Sequence, residues 1–264
     1  MDAFDRMYPI LVEFGFVKVF TYGLLVATGF LVAIMVGASR GEREGCDPQK
    51  IIDLCFYIMM SALLGARMFY IIVEYKYFAA APLEIFKFWK GGLVFYGGLI
   101  VAVLVSLWYL KRHQMPVWRV ADVLAPSIAL GQGIGRWGCF FAGCCYGVKT
   151  DVPWAVTFAD SRSLAPQGVP LHPTQIYLSL NALFIFAFLL WLSKRKKFDG
   201  QIFWAYGILY SIGRFVIEYF RGDDRGFAVE QVLSTSQFVG IFVLGISVFM
   251  FYCLHRKATA TPVS

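Results

Sequence analysis

The sequence predicts an all-α integral membrane protein with about seven transmembrane helices, a small extracytoplasmic cap and an interfacial arm. Three observations carry that expectation. Hydrophobic residues make up 59% of the 264-residue chain and charged residues only 16%, where a soluble domain carries about 25% charged residues. Apolar stretches of roughly 20 residues, the length needed to cross a hydrocarbon core, recur along the chain. The two long segments between them are of other kinds, one aromatic and amphipathic, the other polar and proline-rich. Residues 1–264 are read as one polytopic membrane domain.

Taken in order, the chain begins with Asp2, Asp5 and Arg6 followed by scattered apolar residues. It lacks the small-residue cleavage site of a secretory signal, so the first span, 17–37, is expected to be retained. The charged connection GEREGCDPQK leads to a second span, 51–74, which carries Arg67. Residues 75–91 contain Tyr75, Tyr77, Phe86, Phe88 and Trp89, a composition suited to an arm lying in the membrane interface. The third span, 92–110, ends at KRHQMP. The fourth, 119–135, is the weakest, because it holds Asp122 and is rich in glycine. Residues 136–173, with Pro153, Pro166, Pro170 and Pro173, are too polar to span and form the cap. Pro173 and Thr174 suit the start of the fifth span, 174–193. The sixth and seventh follow at 200–220 and 232–254. No internal repeat is evident.

The net charge of +7 fits loops facing anionic lipid and the positive-inside bias rather than nucleic acid, and no nucleic-acid partner is expected. Twelve Lys and Arg fall on one side of the seven spans and ten on the other. The block SKRKK at 193–197 places its turn in the cytoplasm, which puts the N-terminus outside, the C-terminus inside, and the cap and residues 221–231 outside.

Several residues are out of place in a membrane, where charge is costly and marks function or a buried partner. The stretch GQGIGRWGCFFAGCCYG, 131–147, packs six glycines and Arg136 at the end of an apolar run. Glycine permits close backbone approach, and a guanidinium is a permanently charged fork suited to phosphate. In YSIGRFVIEYFR, Tyr210, Arg214 and Glu218 recur every four residues, with Arg221 three further on, so they share one helix face. That series is either a self-satisfied ion pair between helices or part of an anion site, and Arg136 favours the second. An apolar, aromatic surround suits a phospholipid headgroup better than a soluble anion. GGLVFYGG, 91–98, sets two glycine pairs around Tyr96, a pattern equally consistent with close helix packing. LHPTQIY, 171–177, offers His172, which could be a ligand or merely an interfacial residue. Cys139, Cys144 and Cys145 admit structural, disulfide and metal readings; their C-x4-C-C spacing lacks the paired C-x2-C arrangement and a nearby histidine, which favours the structural one.

GRWGCFFAGCCYG, GGLVFYGG, LHPTQIY, YSIGRFVIEYFR and the late LSTSQ at 233–237 occur in this order on a seven-span chain. Together they closely resemble the prolipoprotein diacylglyceryl transferases of bacterial inner membranes, and the resemblance runs from Tyr22 to Gln237. It implies transfer of a diacylglyceryl group from phosphatidylglycerol to the lipobox cysteine of a prolipoprotein signal peptide, with release of glycerol phosphate, among membrane lipids in the inner membrane. It implies no cofactor and no metal. Arg136 matches the family's phosphatidylglycerol-contacting arginine and Arg214 the second key arginine, and both are expected in catalysis. Tyr210 and Glu218 complete a Tyr-x3-Arg-x3-Glu pattern. Tyr22, Arg67 and Gly147 match further family positions, and these with His172 are the expected substrate contacts.

The chain departs from the family at two places. Many members carry His where this chain has Tyr96, and Asn and Glu where it has Cys139 and Cys144. An unperturbed tyrosine, with a pKa near 10, is a poor base at neutral pH. The Tyr96 hydroxyl is therefore expected either to orient the headgroup or to act as base with its pKa lowered by arginines. The competing reading, a membrane transporter for a small anionic solute, would favour repeated halves, which are not seen.

Overall fold

A computed structural model of the protein describes residues 9–14, 17–87, 91–223, 227–229 and 233–260. Eight α-helices lie among them: α1 (Thr21–Arg43), α2 (Pro48–Val73), α3 (Tyr75–Ala80), α4 (Phe95–Arg112), α5 (Val117–Ala142), α6 (Thr174–Ser193), α7 (Gln201–Glu218) and α8 (Thr235–Ala260). Five of these, α1, α2, α4, α6 and α8, are long and apolar enough to cross a membrane. Their outward faces are apolar as well, with Met35, Leu64, Phe184 and Phe249 among the exposed side chains, as expected where lipid rather than water is the solvent. The remaining long helices, α5 and α7, fall where the fourth and sixth spans are expected, but both carry charge: Arg119, Asp122 and Arg136 in one, Arg214 and Glu218 in the other.

The first expected span begins four residues early. Residues 17–20 are instead a strand, β2 (Val17–Phe20), paired antiparallel with β1 (Ile10–Phe14). A larger correction concerns the cap. Its expected start at 136 lies inside α5, which continues to Ala142. The glycines of this stretch are helical because they are packing surfaces: a Cβ on Gly131 would come within 3.1 Å of the Gly29 carbonyl on α1, and one on Gly138 within 3.1 Å of the Tyr22 carbonyl. Small residues that let backbones touch compensate for the poor helix propensity of glycine.

The chain divides into two compact units, Met1–Val36 with Ala121–Ser264, and Gly37–Val120. In the second unit Asp47 starts α2, its carboxylate accepting from the Gln49 amide at 2.9 Å with Pro48 in the first turn, the usual chemistry of a helix start. α2 and α4 then pack through Gly65, Gly97 and Gly98; a Cβ on Gly97 would lie 2.4 Å from Phe69. The expected arm is α3 followed by a 3-10 turn at Pro82–Phe86, with Tyr75, Tyr77, Leu83 and Phe86 exposed. Phe88 and Trp89 lie outside the described residues.

In the first unit Ala125, Ala129, Ile185, Leu189, Ile202 and Ala205 form a core joining α5, α6 and α7. Asp122, which weakened the fourth span, is 1% exposed and accounts for much of that junction. Its carboxylate accepts from the amides of Gly200 at 2.7 Å and Phe203 at 2.8 Å and pairs with Lys196 at 3.1 Å. The start of α7 has no side-chain cap of its own, so α5 supplies one, placing negative charge at a helix N-terminus. Burial alone pulls the Lys196 ammonium down, but Asp199 and Asp122 outweigh it and hold it above its ordinary value. Residues 143–173, where the cap is expected, carry the short pair β3 (Val156–Thr157) and β4 (Pro170–Leu171). They are seated on the end of α5 by Phe140, Phe158, Ala165 and Leu171. The strands β5 (Phe227–Val229) and β6 (Leu233–Ser234) pair just before α8.

Candidate functional site

The site grows from the carboxyl end of α7. Arg214 and Glu218 are one helical turn apart and their side chains are 10% and 8% exposed. An Nη1 of Arg214 donates to Glu218 Oε2, and Nη2 donates to Ser236 Oγ at 3.1 Å. Glu218 Oε1 in turn accepts from Ser234 Oγ at 2.9 Å. Ser234 also starts α8: its hydroxyl accepts from the Gln237 amide while Gln237 Oε1 accepts from the Ser234 amide, each at 3.1 Å. This is a capping box, and it shows what LSTSQ does. The motif fixes the head of α8 and at the same time holds both members of the Arg214–Glu218 pair.

Arg221 extends the array. Its Nε lies 3.8 Å from Glu218 Oε2 and its fork grips Asp223 at 2.8 and 2.7 Å. Its Nη1 is buried without a hydrogen-bond partner among the described residues. Beyond it lies Cys145, whose Sγ is 3.9 Å from Arg136 Nη1. Hydrogen bonds from the Cys139 and Cys144 thiols pull Cys145 well below the ordinary thiol range, with Arg221 adding to the effect, while Cys144 is pushed up by Cys139 and Cys145.

Arg136 differs from the other two arginines. Among the described residues its guanidinium makes only the weak contact to Cys145, whereas Arg214 and Arg221 are held by carboxylates. Three guanidinium groups meet two carboxylates, Glu218 and Asp223, and the arginine without a carboxylate partner is the one whose fork is least committed. That arrangement attracts an anion. Tyr22, half-exposed at the head of α1, packs over Gly138 and has Arg136 and the three cysteines as neighbours. Tyr206 adds a hydroxyl bonded to Gln132 at 3.0 Å and stacks its ring on Tyr210 at 5.8 Å.

Gly147 sits where three backbones converge. Its amide donates to the His172 carbonyl at 3.0 Å, and a Cβ would fall 2.5 Å from His172 and 2.6 Å from the Phe220 carbonyl. On either side of it, Val148 donates to Phe220 at 2.9 Å, and Gly222 donates to Tyr146 at 3.1 Å. Gly147 thus joins the cap to the end of α7, which explains the residue type without a ligand. His172 Nδ1 meets the Tyr177 hydroxyl at 3.0 Å, and Trp154 Nε1 donates to the same hydroxyl at 2.8 Å. Fully buried Thr174 and Gln175 hold the carbonyls of Cys145 and Cys144 at 2.6 and 2.8 Å.

The first unit therefore contains Tyr22, Arg136, Gly147, His172, Tyr210, Arg214 and Glu218. Arg67 and Tyr96 belong to the second. The donors of Arg67 are directed at main-chain carbonyls of the arm: Glu84 at 2.6 Å, Ile85 at 3.1 Å, Gly91 at 2.9 Å and Gly92 at 3.2 Å. Its guanidinium also faces the rings of Tyr70 and Phe78. Tyr96, in the first turn of α4, is half-exposed against Phe95. Ser234, Ser236, Thr174 and Gln175 lie within the motifs LSTSQ and LHPTQIY but had no expected site role. The Ser-x-x-Gln spacing at 234–237 could have marked Ser234 as a helix cap.

Comparison with known proteins identifies the family. The family model described as prolipoprotein diacylglyceryl transferase matches residues 9–253. The phosphatidylglycerol–prolipoprotein diacylglyceryl transferase of Clostridium tetani is 38% identical over 245 residues, covering 93% of this chain and 97% of the relative. A second such enzyme from Clostridium perfringens is 39% identical, covering 90% and 92%, and one from Synechococcus elongatus is 34% identical, covering 94% and 89%. With a match along nearly its full length and arginines clustered where the family motifs fall, the chain belongs to the prolipoprotein diacylglyceryl transferase family.

Proposed function

We propose that the protein transfers the diacylglyceryl group of phosphatidylglycerol to the lipobox cysteine thiol of a prolipoprotein signal peptide, using Arg136 as the phosphate ligand. The observation that carries this reading is the contrast between Arg136, with an uncommitted fork, and the saturated pair Arg214–Glu218 beside it. The substrate thiolate attacks the glycerol carbon bearing the phosphate ester; the carbon–sulfur bond forms as the carbon–oxygen bond breaks, and glycerol phosphate leaves. Charge then concentrates on the departing phosphate, where a preorganised guanidinium in a low-dielectric site stabilises it most. A thiol of pKa about 8.5 is already a few per cent ionised at neutral pH, so the positive site needs only to enlarge that fraction.

Arg214, tied to Glu218 and Ser236, holds the array's shape and adds to its field. Tyr22 and Tyr210 flank the headgroup, His172 borders it from the cap, and Gly147 keeps the cap in place. In the second unit Tyr96 contributes a hydroxyl near the membrane surface, and Arg67 acts by fixing the arm. In this reading all seven long helices lie within the bilayer, with the cap and the N-terminus outside and the C-terminus in the cytoplasm.

The test uses purified protein, phosphatidylglycerol and a lipobox peptide. A diacylglyceryl mass increment on the peptide cysteine is expected for the wild type and not for Arg136→Ala. Unmodified peptide from a folded wild-type preparation would overturn the proposal.

A further inference from the structure

The transfer reaction takes its nucleophile from the substrate and leaves Cys139, Cys144 and Cys145 without a role. Their three Sγ atoms nevertheless all lie within 4.8 Å of one another, and none of them is in a disulfide. Cys139 projects from the last turns of α5 and the other two from the loop that follows. The Cys144 amide donates to the Cys139 carbonyl at 3.1 Å, drawing the loop back over the helix end. Adjacent cysteines ordinarily point apart. Here Cys145 takes a left-handed conformation, φ 62°, uncommon for a residue with a side chain, and this returns its sulfur to the other two. Thr174 and Gln175, both fully buried, clamp the two loop carbonyls, so the arrangement is held from outside the loop.

Three thiolates around one ion at a metal–sulfur distance of about 2.3 Å have sulfurs roughly 4.0 Å apart. The cluster reaches that geometry by contracting less than about 1 Å, within the range of side-chain rotation. The donor set is all sulfur, which rejects hard cations such as Mg(II) and Ca(II) and selects soft ones. A monovalent ion adds less positive charge than a divalent one to a site already bordered by the guanidinium groups of Arg136 and Arg221. No fourth Cys, His, Asp or Glu joins the group among the described residues, which suits three-coordination rather than a tetrahedral structural zinc.

We infer that Cys139, Cys144 and Cys145 form a three-thiolate site for a soft monovalent cation of the Cu(I) class, built into the loop that follows Arg136. Such an ion draws Cys145 Sγ into its coordination shell and away from Arg136.

The intact protein in detergent, reduced and under anaerobic conditions, is loaded with Cu(I), desalted and analysed for metal. One copper per chain is expected for the wild type. The Cys139→Ser/Cys144→Ser/Cys145→Ser variant, which keeps Cys46, Cys55 and Cys253, is expected to retain none, and Mg(II) is expected to be retained by neither. A second measurement requires no variant: alkylation of the wild type followed by peptide mapping should show these three thiols protected when Cu(I) is present and labelled when it is absent. Equal copper in wild type and variant, or labelling of the three thiols that Cu(I) does not change, would overturn the site.

Discussion

Replacing Arg136 and Arg214 separately by alanine should divide activity from stability. Arg136 makes one weak contact within the protein, 3.9 Å to a sulfur, so its removal should change folding stability by no more than about 0.5 kcal/mol, the range of a substitution that breaks no buried network. Its proposed partner is the leaving phosphate. Two charge-assisted hydrogen bonds at about 1.5–3 kcal/mol each amount to about 3–6 kcal/mol of transition-state stabilisation. At 1.36 kcal/mol per decade that is a loss of roughly 10²- to 10⁴-fold in rate. Arg214→Ala is a different perturbation, because it leaves the Glu218 carboxylate, 8% exposed, without its main counter-charge. Breaking a buried pair from one side costs about 3–5 kcal/mol, tempered here by Ser234 and by Arg221 at 3.8 Å. Arg214→Ala should therefore lower the thermal midpoint in detergent clearly, and adding Glu218→Ala should recover part of the loss. Turnover is measured by mass shift of a lipobox peptide, and stability by thermal unfolding of the same preparations. Arg136→Ala melting as low as Arg214→Ala, or keeping more than about a tenth of wild-type turnover, would refute the distinction.

Other outcomes follow from the same geometry. Asp122→Ala removes the cap of α7 together with the counter-charge of Lys196, and a loss of about 3–5 kcal/mol is expected on thermal unfolding. Because Lys196 is held above the ordinary lysine value of 10.5, its stabilising contribution is complete below that pH and disappears as pH rises through the higher folded value; the stability difference between wild type and Lys196→Met should be constant from neutral pH to about 10 and shrink in stronger base. Gly147→Ala forces a Cβ to within 2.5 Å of His172 and 2.6 Å of the Phe220 carbonyl; an overpacking cost of about 1–3 kcal/mol should appear as faster proteolysis of the cap. Tyr96→Phe tests the hydroxyl alone: near-normal turnover excludes it as an obligatory base, while a loss of 10²-fold or more supports that role.

What the sequence made legible was whatever is local. The apolar run after Pro173 and Thr174 gave α6 with the same ends, 174–193, in sequence and structure, because span length and start chemistry are properties of one segment. Tyr210, Arg214 and Glu218 could be placed on one face from their spacing alone. Tertiary consequences were hidden. Asp122 looked like a flaw in a span, since its partners at Gly200 and Phe203 are 78 and 81 residues away. The fourth span was expected to end at 135, short of Ala142, because the close approach of α1 to Gly131 and Gly138 is not written in the local sequence. Cys144 and Cys145 seemed unsuited to one cluster because adjacent side chains diverge in ordinary backbone, and the left-handed turn at Cys145 could not be anticipated. Arg67 was expected as a substrate contact from the resemblance alone, and its hydrogen bonds to the main chain of residues 84–92 could not be read from the sequence.

The pairing of Tyr146–Val148 with Phe220–Gly222 also sets an order of events during synthesis. The strand-like partner of the segment after Arg136 lies at the far end of α7, so it leaves the ribosome only after the whole cap and two further helices have been made. At about 5–20 residues per second, the arginine loop waits several seconds for the backbone that anchors it, and Arg221 arrives with that backbone. A nascent chain arrested after α6 would carry Arg136 on its helix but lack the stitch that seats the loop. The seat of the arginine loop is therefore acquired late, when the end of α7 has been made, and Ser234 and Ser236 follow with α8.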